Sequence, residues 1–163
     1  MVICTPRAAN RLPNPAPSLS AIGDQEVTLG QTLAFTVEAS DADEPAQQLV
    51  FGLGEGAPAG AEINPISGQF EWRPEAGPAE HWVAVIVSDD GQPSLSATQS
   101  FRVVVYLPPT LGVVIEGEQL RLSWARGTLQ EADEAAGPYR DVPAQSPFTV
   151  DLTESRRFYR IRL

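Results

Sequence analysis

The chain is 163 residues long, 42% hydrophobic, and carries a formal net charge of −10. That length and apolar content fill one β-domain of ordinary size followed by a smaller one, so whole-chain disorder is excluded. The acidic balance excludes a nucleic-acid or anionic-membrane partner, because polyphosphate binding needs clustered cations that release counterions.

The charge is unevenly placed. Residues 1–109 hold 4 Arg against 13 Asp and Glu, a net of −9, while 110–163 hold 7 Arg against 8, a net of −1. All 11 cations are Arg. The lone Cys4 allows no intramolecular disulfide and no cysteine metal site. The first residues, Met1-Val2-Ile3-Cys4-Thr5-Pro6-Arg7, lack the cationic and apolar regions of a signal peptide, and no run approaches the roughly 18 apolar residues of a membrane span. The expectation is therefore a stretch near the tail of a longer exported chain.

Residues 1–17 end in Leu12-Pro13-Asn14-Pro15-Ala16-Pro17, where three alternate prolines favour an extended linker. A period of two follows: Val27 and Leu29; Leu33, Phe35, Val37 and Ala39; Leu49, Phe51 and Leu53; Phe70 and Trp72; Val83, Val85 and Val87; Phe101, Val103 and Val105. This predicts six or seven half-buried strands over 18–107. The 13 Gly and 15 Pro residues punctuate them. Leu29-Gly30-Gln31 reads as a hairpin turn, Asp41 to Pro45 as a longer loop, Ala57 to Gly60 as a bend, Asn64 to Gly68 as a turn and Asp89 to Pro93 as the last hairpin. Strands spaced in this way predict an all-β sandwich.

Pro108-Pro109 removes two backbone donors in succession and opens a second β-rich stretch, 110–163. Its expected strands are 112–115, 119–124, 128–130, 148–152 and 157–162.

Three motifs occur in order: Leu33-Ala34-Phe35-Thr36-Val37-Glu38-Ala39-Ser40-Asp41-Ala42-Asp43, Gly60 to Trp72 with Asn64-Pro65-Ile66-Ser67-Gly68-Gln69-Phe70 at its centre, and Val83-Ala84-Val85-Ile86-Val87-Ser88-Asp89-Asp90-Gly91. Together they resemble the bacterial cadherin-like, dystroglycan-type and Ig-like repeats over about residues 17–107. The resemblance implies a seven-strand Greek-key sandwich, strung in tandem on secreted or surface-attached proteins, with Ca²⁺ at the junctions between repeats. It places metal ligands on Asp41, Asp43 and Asp89, the share a downstream repeat gives to a junction, with Glu44 or Asp90 as weaker contributors. The upstream share is missing: Trp72-Arg73-Pro74-Glu75 stands where an Asp-Arg-Glu motif would fall, and Leu12-Pro13-Asn14-Pro15 where an acidic linker would. Residues 111–163, ending Arg157-Phe158-Tyr159-Arg160-Ile161-Arg162-Leu163, resemble a small β module found at the C-terminus of large secreted bacterial proteins, which makes Leu163 the expected end of the chain.

The residue types are consistent with Ca²⁺, a hard cation wanting six to eight oxygens at about 2.3–2.6 Å. Aspartates in β-loops also serve as turn formers, accepting bonds from their own backbone two residues on, and that alternative stands beside the metal one. His81, in phase with Val83, Val85 and Val87, is expected to be a partly buried packing group, and no second His or Cys completes a zinc site. Trp72 and Trp124 follow the strand alternation and are expected in the core. Trp82 is out of phase, hence exposed, and is the candidate sugar-stacking residue. No Gly-x-Ser-x-Gly elbow exists, and the acidic pairs Glu71 with Glu75 and Glu80 with Asp89 read as solvated strand ends, so no enzyme is expected. The leading expectation is a non-catalytic extracellular structural or adhesion repeat, whose partners are upstream repeats of the same polypeptide and a cell-surface protein or polysaccharide. The alternative is a carbohydrate-binding accessory module of a secreted hydrolase.

Overall fold

A computed structural model describes residues 14–152 and 156–163; most of the proposed linker, with Cys4, lies outside the described residues. The described residues contain strands and no helix. The chain divides into two compact units at Leu107/Pro108.

Among its described residues the first unit has nine strands: β1 (Ser18–Leu19), β2 (Gln25–Thr28), β3 (Leu33–Thr36), β4 (Ala39–Ser40), β5 (Val50–Leu53), β6 (Glu62–Ile63), β7 (Gln69–Trp72), β8 (Ala79–Ser88) and β9 (Ser96–Tyr106). One sheet runs β2-β9-β8-β5 and the other β3-β7-β6, with a short β1-β4 pair. β2 lies parallel to β9, while β8 and β9 form a long antiparallel hairpin from Ala79↔Val105 to Ser88↔Ser96. The period of two decides what faces in. Val83, Val85, Phe101, Val103, Val105 and Val27 from the first sheet meet Phe70 and Trp72 from the second, with Val37 between strands. Phe35, Phe70 and Phe101 form an aromatic triad at its centre, with ring centroids 5.1, 5.5 and 5.6 Å apart.

Two local expectations change. Leu29-Gly30-Gln31 is a turn, with Gly30 at φ 80° and Gln31 N donating to Thr28 O, but it is not a hairpin: β2 and β3 belong to different sheets. A turn carries the same residues whether the chain folds back in one sheet or crosses to the next, and only pairing distinguishes them. The stripe Leu33, Phe35, Val37 and Ala39 keeps its alternating burial, but two strands share it: Val37 N donates to Gly68 O, one step past the last β3–β7 pair. The chain there leaves β3 and, as β4, pairs with β1.

The second unit holds β10 (Gly112–Glu116), β11 (Gln119–Ser123), β12 (Thr128–Ala132), β13 (Arg140–Asp141), β14 (Phe148–Asp151) and β15 (Phe158–Arg162). They form two three-stranded sheets, β10-β11-β14 and β13-β12-β15. Leu122, Leu129 and Ala132 are its buried apolar residues. Trp124 is not: β11 ends at Ser123, and Trp124 sits half-buried in the following turn with its indole N–H on Gly127 O.

Candidate functional site

Two loops and the N-terminal approach of the first unit meet at one pole. Asp41 follows β4, and Asp89 follows β8 one residue past its last ladder pair. Asp41 Oδ1 accepts from Asp43 N at 2.8 Å, so this oxygen does the turn-forming work the loop composition suggested. Asp89 is buried, at 5% exposure. Its Oδ1 accepts from Gly91 N at 3.0 Å and Leu95 N at 2.9 Å, which fixes the hairpin loop. Its Oδ2 accepts from Asn14 Nδ2 at 3.2 Å.

Asn14 and Gln47 join the two loops. The Asn14 amide donates also to Pro93 O at 2.9 Å, and its oxygen accepts from Gln47 Nε2. Gln47 Nε2 donates as well to Asp43 Oδ2 at 2.6 Å. Asp41, Asp43 and Asp89 are thus linked through two amide side chains that the sequence pattern did not single out. Asn14 stood in a stretch read as linker, and Gln47 in a loop without periodicity. The available signal was an Asn one residue before a Pro-Ala-Pro that leads into the first strand.

The electrostatics register this convergence. Desolvation, the charge of Asp41, a side-chain bond to Asp41 and the charge of Asp89 together push the Asp43 carboxyl above its ordinary value. Burial pushes Asp89 the same way, but the bonds from Leu95 N and Gly91 N, with Asn14 and Ser94, outweigh it and hold its carboxyl low.

The three aspartates do not make a metal cage alone. Among the described residues, no group of three or more His, Cys, Asp or Glu side chains is arranged to hold a metal ion. Both Asp89 oxygens and Asp41 Oδ1 already accept hydrogen bonds. Two buried oxygens remain without a partner, Asp41 Oδ2 and Gln47 Oε1. A buried carboxylate oxygen and a buried amide oxygen left without partners are each costly in a protein, and both are donor types that a hard cation takes. The weaker candidates contribute nothing to this network. Asp90 Oδ1 is exposed and accepts from Gln48 N at 2.9 Å, tying the hairpin to the loop before β5, and Glu44 is exposed.

The aromatic residues divide as expected on the first unit. Trp72 is buried, with its indole N–H on Ala59 O at 3.1 Å, and His81 packs edge-on against it at 5.0 Å between centroids. Trp82 is 66% exposed on the outer face of β8, directly opposite Arg102 of β9. Arg102 is held between Asp24, at 3.1 Å, and Glu80, at 3.4 Å.

No protein-family model matches the chain, and no curated protein matches it. Solved structures do. A nucleoside hydrolase-related hypothetical protein from Saccharophagus degradans, described as associated with carbohydrate metabolism, is 20% identical over 56% of this chain and 26% of its own, with a TM-score of 0.47. Mouse cadherin-23 EC22-24 is 20% identical over 57% of this chain and 31% of its own, at 0.48. Human protocadherin-24 EC1-2 is 15% identical over 73% of this chain and 66% of its own, at 0.48. The chain spans about a quarter to a third of the first two. The strand order itself defines the class of the first unit: an all-β sandwich of two sheets, with β2 parallel to β9.

Proposed function

We propose that the chain is a non-catalytic extracellular structural and adhesion repeat whose Asn14 pole is one half of a Ca²⁺ site, completed by carboxylates from an upstream repeat. The observation that carries this reading is the pair of buried, unpartnered oxygens, Asp41 Oδ2 and Gln47 Oε1, among three converging aspartates. Oxygen donors of this kind favour Ca²⁺ over zinc, and the single His81 is spent on Trp72. Calcium would offset the desolvation and the neighbouring acidic charges that raise Asp43, and would stiffen the entry of the chain at Asn14. Two unpartnered oxygens fall short of six to eight, so affinity should be weak for this chain alone and higher when a neighbouring repeat supplies the rest. The partners on this reading are upstream repeats of the same polypeptide, and beyond them a cell-surface protein or polysaccharide. Calorimetric titration of Ca²⁺ into the chain, alone and fused behind a second repeat with an acidic linker, tests it. Saturable heat that strengthens in the fusion supports the reading, and no heat from either removes it.

One observation favours a second reading, a carbohydrate-binding accessory module: Trp82 stands exposed beside the Arg102, Glu80 and Asp24 polar group. It is the weaker of the two, because a single ring offers one stacking surface and the neighbouring polar groups bond each other. Quenching of tryptophan fluorescence by soluble glycans, lost in Trp82→Ala, would favour it over the spacer role.

A further inference from the structure

Among its described residues the second unit has four edge strands, β10 and β14 in one sheet, β13 and β15 in the other. Three of them carry exposed charges of the kind that discourages addition of another strand: Arg140 and Asp141 on β13, Asp151 on β14, Arg160 and Arg162 on β15. β10 differs. It reads Gly-Val-Val-Ile-Glu with every residue exposed, Val113 at 55%, Val114 at 52% and Ile115 at 68%. Its one charge, Glu116, is already matched by Arg121 at 3.6 Å. The register sets Val113 opposite Leu122 and Ile115 opposite Leu120, so both valine and isoleucine continue the face on which Leu122 is buried. The apolar face of this sheet therefore runs to its edge and ends there uncovered, next to a row of backbone donors and acceptors.

We infer that β10 is a self-pairing edge, at which two copies of this chain join antiparallel about Val114. The resulting sheet is six-stranded, in the order β14-β11-β10-β10-β11-β14. The strand's own residue pattern, Gly-Val-Val-Ile-Glu, fits a second copy of itself and sets the direction. Antiparallel pairing about Val114 sets each Glu116 opposite the partner's Gly112, which has no side chain to obstruct it, and sets Val113 against Ile115 on the apolar face. Parallel pairing would instead stack Glu116 on Glu116. The surrounding unit permits the approach, since 110–163 carries a net charge of only −1 while the preceding residues carry −9. An interface built in this way is isologous and closed, so it yields a dimer and no fibre.

Sedimentation velocity on the full chain over the micromolar range is expected to show a monomer passing to a dimer of twice the mass. Ile115→Lys, a change at an exposed position, is expected to abolish the dimer while leaving the far-ultraviolet spectrum unchanged. In a Cys4→Ala background, Val114→Cys should oxidise to a covalent dimer, because residues directly opposite in an antiparallel pair lie about 4.5–5.5 Å apart at Cα, within disulfide reach. Val113→Cys, opposite Ile115, should not. A chain that stays monomeric throughout, or a dimer that survives Ile115→Lys, or equal oxidation of the two cysteine variants, overturns the proposal.

Discussion

Replacing Gly91 by alanine tests the Asn14 pole from a residue that touches no ligand. A Cβ on Gly91 would fall on the Asn14 side-chain amide, well inside van der Waals contact with its oxygen, nitrogen and carbon. The backbone cannot give way easily, because Gly91 N is bonded to Asp89 Oδ1 and the loop is closed by Asp89 N on Leu95 O. Asn14 must therefore leave. It then loses its bonds to Pro93 O and Gln47, together about 1–3 kcal/mol at 0.5–1.5 kcal/mol each, and the bond to Asp89 in addition. Even about 1 kcal/mol corresponds to a shift of roughly 4–8 °C in the melting temperature of a unit this size. Urea and thermal unfolding of Gly91→Ala, Asn14→Ala and the double variant form a cycle that isolates the mechanism. Each single variant should be destabilised and the double should be no worse than the poorer single, since both remove the same contacts. Wild-type stability in Gly91→Ala, or full additivity in the double variant, refutes the reasoning.

Further outcomes follow from other parts of the molecule. Phe70→Ala removes a fully buried ring from the aromatic triad and should cost about 3–5 kcal/mol in chemical denaturation, enough to unfold a marginal unit. Asp43→Asn should stabilise the metal-free protein at neutral pH. The Asp43 carboxyl is raised in the folded state, so its contribution favours folding below the ordinary carboxylate range and is lost as pH climbs through the raised value; the variant's advantage should accordingly vanish in acid unfolding curves. Asp89 behaves in the opposite sense: its lowered carboxyl supports the fold at neutral pH, and that support fades as pH falls through the lowered value. Trp82→Ala, at an exposed position, should change stability by no more than about 0.5 kcal/mol, measured by the same urea curves.

The inward stripe was legible because a sandwich enforces a period of two: the chemistry of Val83, Val85, Phe101, Val103 and Phe70 specifies both the strand and its face. The pole was half legible. Asp41, Asp43 and Asp89 stand out as acids ending apolar strands, and the structure does draw them together. Which of their oxygens remain free depends on hydrogen bonds from Gly91 N, Leu95 N and Asp43 N, which no residue pattern records. Asn14 and Gln47 escaped for a related reason. A neutral amide carries no charge signature, and its role arises only from the long-range approach of residues 33 and 75 positions apart. Trp124 misled because strand alternation was extended one residue past Ser123, where the ladder with β10 ends. The exposed β10 could not be foreseen either, since Val-Val-Ile reads as core until the sheet order makes it an edge.

The central claim, that Asn14, Asp41, Asp43, Gln47 and Asp89 form one calcium-directed pole, is tested most directly by a calcium titration followed residue by residue in the ¹H–¹⁵N spectrum of the chain. Extracellular calcium modules work in about the 10⁻⁴–10⁻³ M range, and an incomplete site should saturate at or above its upper end. The expected result is a saturable shift of the Asn14 and Gln47 side-chain amides together with the backbone amides of Asp43 and Gly91, with no comparable response to magnesium. Shifts spread evenly over the acidic surface, or none at these four positions, would contradict it.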